Sequence, residues 1–183
     1  MKLIEILPDQ QNILISLAYA SNNNFIGKKI YKKEKSFLRQ EAILALNKTI
    51  HIASKMELKI KIFDTFRPVE AQQIMWDFNP DPKYIADPKL GSPHSRGVAI
   101  DLTLCTKDNV ELDMGTPFDS FSEKSHHDWL DFDHDIIKNR SLLLGIMTLS
   151  GWDFYNNEWW HYQLFEPKKY PLLTDKAAGT NLI

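Results

Sequence analysis

Apolar and polar residues repeat along the chain with two periods, one typical of helices and one typical of strands. Pro68 opens a predicted helix over Val69–Phe78, and Gly151 ends another over residues 135–150. An earlier helix has Ser36 as its predicted N-cap, because small and apolar side chains recur after it at spacings of four and three. Those repeating positions are Leu38, Ala42, Ala45, Thr49, Ile52 and Met56.

Three shorter segments alternate with period two and are predicted to be strands: 58–63, 97–105 and 159–165. In the second segment the apolar side chains share one face, and Asp101 lies on the other among small residues, as in the floor of a cleft. In the third segment His161 lies on the more polar face. Helices packed outside a mostly antiparallel central sheet make an α+β fold.

The length of 183 residues predicts one domain, covering 1–183. A domain of this size buries roughly 70% of its unfolded surface, so its core needs no metal for stability. A bound metal would therefore serve chemistry. The proline-rich segment 79–93 is predicted to be a long loop, and loops of that length within a domain are usually functional or mobile.

Charge and composition exclude some partners. The net charge is −2 and the isoelectric point is near 6.3, so nucleic acid is not expected, and the lysines at 28–35 are interpreted as a solvated surface. No segment approaches the roughly 20 apolar residues of a membrane span. Cys105 is the only cysteine and ends an apolar run, so it is interpreted as a buried hydrophobic residue.

The N-terminal region shares some features with a secretion signal. Residues 13–17 are apolar and Ala18-Tyr19-Ala20 resembles a cleavage site. The apolar stretch is short, however, and Glu5 and Asp9 precede it where a signal peptide carries positive charge. A cytoplasmic location is therefore expected.

Two segments carry the chemistry. The first is Ser92-Pro-His94-Ser-Arg-Gly-Val-Ala-Ile-Asp101, and the second is Glu158-Trp-Trp-His161. Hydrolytic zinc sites use three His or carboxylate ligands and keep a fourth position for water. His94, Asp101 and His161 supply such a set. Taken singly, His94 could be a loop histidine, Asp101 half of a salt bridge and His161 a histidine of the core. All three alternatives would have to hold at once, which favours the metal site.

Glu158 lies three residues before His161, and a carboxylate there can accept the proton of a metal-activated water and pass it to the leaving amine. The alternative for Glu158 is a solvent-facing turn residue. The short tether to a predicted ligand favours catalysis.

These two segments resemble the S-x-H-x-x-G-x-A-x-D and E-x-W-H signatures of the D-alanyl-D-alanine metallopeptidases, and more closely the VanX-like dipeptidases. The likeness extends over most of the chain. Further matching segments are Ala18-Tyr19-Ala20, Asn24-Phe25-x-Gly27, Leu38-Arg39-Gln40-Glu41-Ala42, Asp64-Thr-Phe-Arg67-Pro68, Met114-Gly115-x-x-Phe118-Asp119 and Ser125-His126-His127. The metal motifs alone also occur in related carboxypeptidases and hedgehog-type domains.

The resemblance implies one Zn²⁺ per chain on His94, Asp101 and His161, with Glu158 as the general base. It implies that Arg67 faces the scissile carbonyl, where a guanidinium would stabilise a developing oxyanion. It also implies that Asp119 and Ser92 hold the substrate ammonium and that Tyr19 lines the same pocket. The alternatives are an ion pair with a core carboxylate for Arg67, and a turn aspartate, a capping serine and a core tyrosine for the other three.

The function expected from the resemblance is hydrolysis of D-alanyl-D-alanine or a similar small D,D-dipeptide. Two other functions stay open: a D,D-carboxypeptidase acting on longer peptidoglycan stem peptides, and an inactive hedgehog-like metal-binding module. His126 and His127 are expected to be structural, because adjacent residues rarely bind one metal together. Phe66 departs from the usual tyrosine of the family and removes a hydroxyl near Arg67. The sequence does not indicate an oligomeric state or a physiological purpose.

Overall fold

The computed structural model of the chain describes residues 2–9 and 12–183. Five of the seven strands it describes have only two or three residues, and its two longest helices have the same length. The strands are β1 (Ile4–Ile6), β2 (Ile13–Ile15), β3 (Ser36–Leu38), β4 (Leu58–Asp64), β5 (Ala99–Thr106), β6 (Asp153–Phe154) and β7 (His161–Gln163). The helices are α1 (Gln40–Lys55), α2 (Val69–Phe78), α3 (His134–Leu149) and the single turn α4 (Asp175–Ala178).

Five strands form the central sheet in the order β2-β4-β5-β7-β6. β2 runs parallel to β4, and the other three pairs are antiparallel. β1 and β3 form a separate antiparallel pair. Helices α1 and α3 pack on each other and against strands of the sheet. The predicted α+β class, with a mostly antiparallel sheet and flanking helices, is confirmed, while the domain extent of 1–183 stays a prediction.

Strand β5 is the centre of the sheet and is buried along nearly its whole length. Its apolar residues Ile100, Leu102 and Leu104 have no exposed surface, because β4 and β7 cover its two edges and core side chains cover its face. Asp101 interrupts this run and is only 2% exposed. A buried carboxylate without partners is unfavourable by several kcal/mol, so the fold must supply counter-charges at this point.

The segment before α1 differs from the prediction. Ser36 is not a helix N-cap: it lies in β3, and its hydroxyl is 2.9 Å from that of Thr65. The helix begins at Gln40 after Arg39 and ends at Lys55, which leaves Met56 outside it. The prediction is wrong because Ser36–Leu38 pairs with Ile4–Ile6, and a contact between distant segments does not appear in local periodicity.

The other predicted elements agree more closely. Helix α2 has the predicted bounds with Pro68 immediately before it, and α3 starts and ends one residue earlier than predicted. The last strand is shorter than 159–165, because Trp159 and Trp160 belong to the turn that leads into it. Among residues 2–9 and 12–183, no helix is long and apolar enough to cross a membrane.

Helix α1 is joined to the chain beyond α3 by one buried hydrogen bond, which Trp152 Nε1 donates to Thr49 Oγ1 over 3.0 Å. We expect Thr49→Val to lower the free energy of unfolding by about 1–3 kcal/mol, since the indole N–H would stay buried without an acceptor. The exposed Thr148→Val is the matched control and should change the stability by less than about 0.5 kcal/mol. Urea unfolding followed by tryptophan fluorescence measures both. Equal stabilities for the two variants would contradict this assignment.

Candidate metal centre and active site

Three polar side chains stand in a row across the middle of the central sheet. Asp64 at the end of β4 is opposite Asp101 of β5, and Asp101 is opposite His161 of β7. The row depends on an irregularity in β4 between Ile62 and Asp64, which brings Asp64 rather than Phe63 into register with Asp101. An extra residue in one strand of a pair is a β-bulge, a device that often redirects a side chain beside a functional site.

His94 reaches the same point from the short 3₁₀ turn His94–Arg96 that precedes β5. Gly97 ends the turn with φ of 70°, a left-handed conformation that favours glycine. A Cβ at Gly97 would lie 2.7 Å from the Cδ2 atom of Leu3, so a larger residue would push the turn away from the core. The imidazole is fixed from behind, because His94 Nδ1 lies 2.6 Å from the carbonyl oxygen of Thr65.

The three predicted metal ligands converge. His94 Nε2 lies 3.0 Å from His161 Nδ1 and 3.3 Å from Asp101 Oδ1, and His161 Nδ1 lies 3.0 Å from the same oxygen. All three side chains are buried. Burial alone would raise the pKa of Asp101, but the two histidines hold it below its ordinary value. Asp101 is therefore an anion at the centre of this cluster.

The hydrogen bonds of the two imidazole rings indicate that this cluster fits a cation. In each ring the inner nitrogen, His94 Nε2 or His161 Nδ1, faces the cluster, and the outer nitrogen bonds a group outside it. With a proton on His94 Nδ1 for the carbonyl of Thr65, and one on His161 Nε2 for Gln163 Oε1 at 3.2 Å, both inner nitrogens carry lone pairs. Those lone pairs and the Asp101 oxygen would then face one another with no hydrogen to share. Two imidazole nitrogens and a carboxylate oxygen suit a divalent metal ion, and outer hydrogen bonds of this kind orient metal-binding histidines.

Glu158 lies at the edge of this cluster, in the turn that leads into β7. Its Oε2 atom is 4.0 Å from His161 Nδ1, and only 8% of the residue is exposed. Hydrogen bonds from the Glu158 amide to Tyr155 and from the His161 amide to Glu158 fold the turn tightly. Burial raises the pKa of Glu158 to about 7. A carboxyl with a pKa near neutrality can both accept and return a proton in that pH range.

Arg67 is held by a network that reaches from the core to the pocket. Its Nε donates to Asp64 Oδ2 over 2.8 Å, and a terminal nitrogen donates to Gln72 Oε1 over 3.0 Å. Its other terminal nitrogen lies 3.6 Å from Asp101 Oδ2. Tyr31 donates to the second oxygen of Asp64. Arg67 therefore does pair with a core carboxylate, as the alternative interpretation proposed, and at the same time lines the pocket.

The three predicted substrate-binding residues lie close to these groups. Tyr19 is buried, its ring lies 5.1 Å from the guanidinium carbon of Arg67, and its hydroxyl donates to the carboxylate of Asp119 at 3.1–3.2 Å. Asp119 has a left-handed backbone with φ of 59°. Its pKa is raised by burial and by repulsion from Asp101. Ser92 is buried and its hydroxyl accepts the His94 amide over 3.2 Å.

One pocket of about 270 Å³ collects all of these side chains. The eight predicted site residues that line it are Tyr19, Arg67, Ser92, His94, Asp101, Asp119, Glu158 and His161. Residues 82–86 of the proline-rich loop form another part of its wall, which agrees with a functional interpretation of that loop. The structure thus brings the predicted residues together, and their chemical roles stay predictions.

The sequence interpretation assigned no role to three polar residues that hold the site. Asp64 and Gln72 orient the guanidinium of Arg67, and Gln72 also donates to the carbonyl of Ala86 in the loop wall over 2.8 Å. Gln163 contacts the outer nitrogen of His161. The spacing of Gln163 two residues after His161 places both on one face of a strand, so this contact could have been found from the sequence.

Several other expectations concern residues near the site. Phe66 is 1% exposed and is not among the residues that line the pocket, and the effect of its missing hydroxyl stays a prediction. Among the described residues, His126 and His127 do not belong to the cluster of potential metal ligands, and their structural role stays a prediction. Cys105 has no exposed surface, and burial raises the pKa of its thiol to about 11, which agrees with its interpretation as a buried hydrophobic residue.

The fold is similar to that of a solved peptidoglycan enzyme. The LdcB LD-carboxypeptidase matches with a TM-score of 0.51 and 16% sequence identity, over 98% of this chain and 78% of that one. At this identity the likeness concerns the fold alone, and it supports the predicted α+β architecture of a mostly antiparallel sheet with flanking helices.

Sequence comparisons define the family more narrowly. The family model described as D-ala-D-ala dipeptidase, of peptidase family M15, matches residues 1–176. The D-alanyl-D-alanine dipeptidase of Escherichia coli strain K12 is 42% identical over 173 residues, which cover 94% of this chain and 88% of that protein. The enzyme of the same name from Enterococcus faecalis strain V583 is 32% identical over 174 residues, covering 84% and 86%. The chain belongs to the D-ala-D-ala dipeptidase family of M15 metallopeptidases.

The converging donor atoms predict that the purified protein binds one divalent metal ion per chain. We expect His94→Ala to lower the affinity for the metal at least about tenfold, because a ligand and its hydrogen bond to Thr65 are both lost. The matched control is His134→Ala, since His134 is exposed on α3. Elemental analysis and calorimetric titration of the metal-free protein measure the effect. Equal affinities in the two variants would show that the metal binds elsewhere.

Proposed function

We propose that this chain hydrolyses D-alanyl-D-alanine, or a closely similar small D,D-dipeptide, to two D-amino acids. The observation that carries the proposal is the convergence of His94 Nε2, Asp101 Oδ1 and His161 Nδ1 beside the buried carboxylate of Glu158. A pure binding site has no need of such a carboxylate. Membership of the D-ala-D-ala dipeptidase family supports the choice of substrate.

We assign zinc to the metal position, with one ion per chain. Two imidazole nitrogens and one carboxylate oxygen form the ligand set of several hydrolytic zinc sites. Such an ion supplies Lewis acidity, which activates water near neutral pH and polarises a carbonyl group. His94 and His161 would bind it through their inner nitrogens, and the contacts with Thr65 and Gln163 would keep both rings in that orientation.

Glu158 would accept the proton of the attacking water and deliver it to the amine that leaves when the peptide bond breaks. Its buried position and raised pKa support both transfers. Arg67 would face the scissile carbonyl and stabilise the negative charge that develops on its oxygen. Since Asp64 and Gln72 fix two of its nitrogens, the guanidinium is oriented before the substrate arrives.

Asp119 would bind the free ammonium of the dipeptide, with Tyr19 and Ser92 completing that end of the pocket. Asp119 lies where carboxylates are in excess, so its raised pKa indicates a position at which a cation is favourable. The pocket is also small: about 270 Å³ lies near the lower limit of ligand pockets, roughly 300 Å³. A dipeptide suits it better than a peptidoglycan stem peptide.

A cytoplasmic setting is part of the same proposal. The segment resembling a signal cleavage site belongs to the folded site, since Ile13–Ile15 is a strand of the central sheet and Tyr19 lines the pocket. Cys105 is the chain's single cysteine and is buried, so an internal disulfide is impossible and a reducing compartment is compatible with the chain. Fractionation of the cells that make this protein tests the location.

We expect purified, zinc-loaded protein to cleave D-alanyl-D-alanine and to lose about 10²- to 10⁴-fold in kcat in Glu158→Gln, because the amide cannot take up the proton. The exposed Glu166→Gln serves as control and should keep the wild-type rate. D-alanine release measures the activity, and elemental analysis shows that zinc is retained in both variants.

Two results would contradict the proposal. Equal rates for Glu158→Gln and wild type would mean that Glu158 is not the base. Preference of the wild type for an N-acylated tripeptide over the dipeptide would favour the D,D-carboxypeptidase, and no hydrolysis of either would favour the metal-binding module.

Asp119→Asn tests the ammonium site separately. Asparagine has nearly the same shape and tolerates the left-handed backbone at this position, so the fold should be preserved. We expect KM for D-alanyl-D-alanine to rise at least about tenfold, with a smaller change in kcat, because a charge-assisted contact with the substrate is lost. Steady-state kinetics separate the two constants. An unchanged KM would mean that the ammonium binds elsewhere.

A further inference from the structure

A second cavity lies directly beside the catalytic pocket. It has a volume of about 450 Å³ and is formed mainly by the segment around residues 16–25 and by residues near 117–119. Among the residues that the structure describes, two line both cavities: Phe25 and Asp119. These two residues, called here the dividing wall, separate the metal cluster and its surroundings from the second cavity.

The ring of Phe25 is held in this wall by other aromatic rings. Its centroid lies 5.0 Å from that of Phe121, 5.9 Å from that of Phe78 and 6.2 Å from that of Tyr19. These contacts come from separate parts of the chain. Aromatic pairs at such distances each stabilise their arrangement by a modest amount, so the ring has one preferred position.

The backbone of Phe25 is fixed as well. The side-chain nitrogen of the preceding Asn24 lies 2.8 Å from the carbonyl of Ser21 and 2.9 Å from that of Lys28, and its oxygen accepts the amide of Ile26 over 3.0 Å. One amide group therefore ties together both sides of the loop that carries Phe25. The wall is a built feature of the pocket rather than a freely moving loop tip.

We infer that Phe25 determines how long a substrate this enzyme accepts at its amino end. The inference rests on the proposed function, in which Asp119 binds the ammonium of a dipeptide. A peptide with one more residue at that end must continue beyond Asp119, and the next space is the second cavity, behind Phe25. Polar side chains line part of that cavity, among them the ion pair of Lys61 and Glu111, and such a lining suits peptide amides.

Two sources of substrate selectivity would then lie side by side in the dividing wall. Asp119 favours a free ammonium through charge, whereas Phe25 opposes a longer chain through its volume. Selectivity built against the wrong substrate commonly takes this second, repulsive form. Removing the ring should join the two cavities while leaving the carboxylate of Asp119 and the metal ligands in place.

The experiment compares Phe25→Ala with Phe121→Ala on D-Ala-D-Ala and on Gly-D-Ala-D-Ala, with release of the terminal D-alanine as readout. Phe121 is the matched control, because it packs against Phe25 and lines the catalytic pocket but does not line the second cavity. The quantity compared is kcat/KM for the tripeptide divided by kcat/KM for the dipeptide. We expect Phe25→Ala to raise this ratio at least tenfold over wild type, and Phe121→Ala to leave it within threefold.

Phe25→Leu is the second variant. It should raise the ratio in the same direction by a smaller factor, since leucine fills part of the ring volume. If Phe25→Ala does not fold, Phe25→Leu provides the test. An unchanged ratio in a variant that still cleaves the dipeptide would overturn the inference and leave the proposed function intact. An equal rise in Phe121→Ala would also overturn it, because the packing of the aromatic rings, and not Phe25 in particular, would then set the limit. Failure of the wild type to cleave the dipeptide would overturn the proposed function itself.

Discussion

The pairing of β4, β5 and β7 in one register is the constraint on which the site depends. Asp64, Asp101 and His161 belong to segments separated by tens of residues, and they become neighbours because hydrogen-bonded strands place them directly opposite one another. A shift of one residue in a strand would turn each side chain to the opposite face. The irregularity after Ile62 supplies the required shift in β4, so Asp64 faces Asp101 while the apolar residues of β4 still meet the core.

This arrangement concentrates negative charge in a buried place. Asp64, Asp101, Asp119 and Glu158 lie around a single guanidinium, that of Arg67. Burial raises the pKa of three of these carboxyls, and only Asp101, in contact with both histidines, has a lowered pKa. Such a site favours additional positive charge. A divalent metal beside Asp101 and a substrate ammonium beside Asp119 would both supply it.

The sequence predicted the parts that depend on local pattern. Helix α2, the alternation of β5 and the set of eight pocket residues follow from spacing and motif resemblance, and all eight residues line one pocket. The errors occur where a distant segment decides the local structure. Ser36 is followed by a helical pattern, but its pairing with Ile4–Ile6 makes it part of a strand. The partners of Arg67 are a different kind of omission. Asp64 and Gln72 are only three and five residues away, but local periodicity does not show that their side chains meet the guanidinium.

The aromatic residues beside the pocket show that a catalytic motif does not by itself determine substrate specificity. Phe25, Tyr84 and Phe121 come from three loops, and their rings meet in a series of contacts at 5.0–5.1 Å. None of them carries charge or binds a metal, so residue chemistry alone gives no reason to select them. In the proposed function the carboxylates and the guanidinium recognise the bond and the charge, whereas in our inference the volume of the Phe25 ring limits the space beyond them. A metallopeptidase site of this kind can therefore keep its catalytic groups and change the length of its substrate by altering an apolar side chain in the wall.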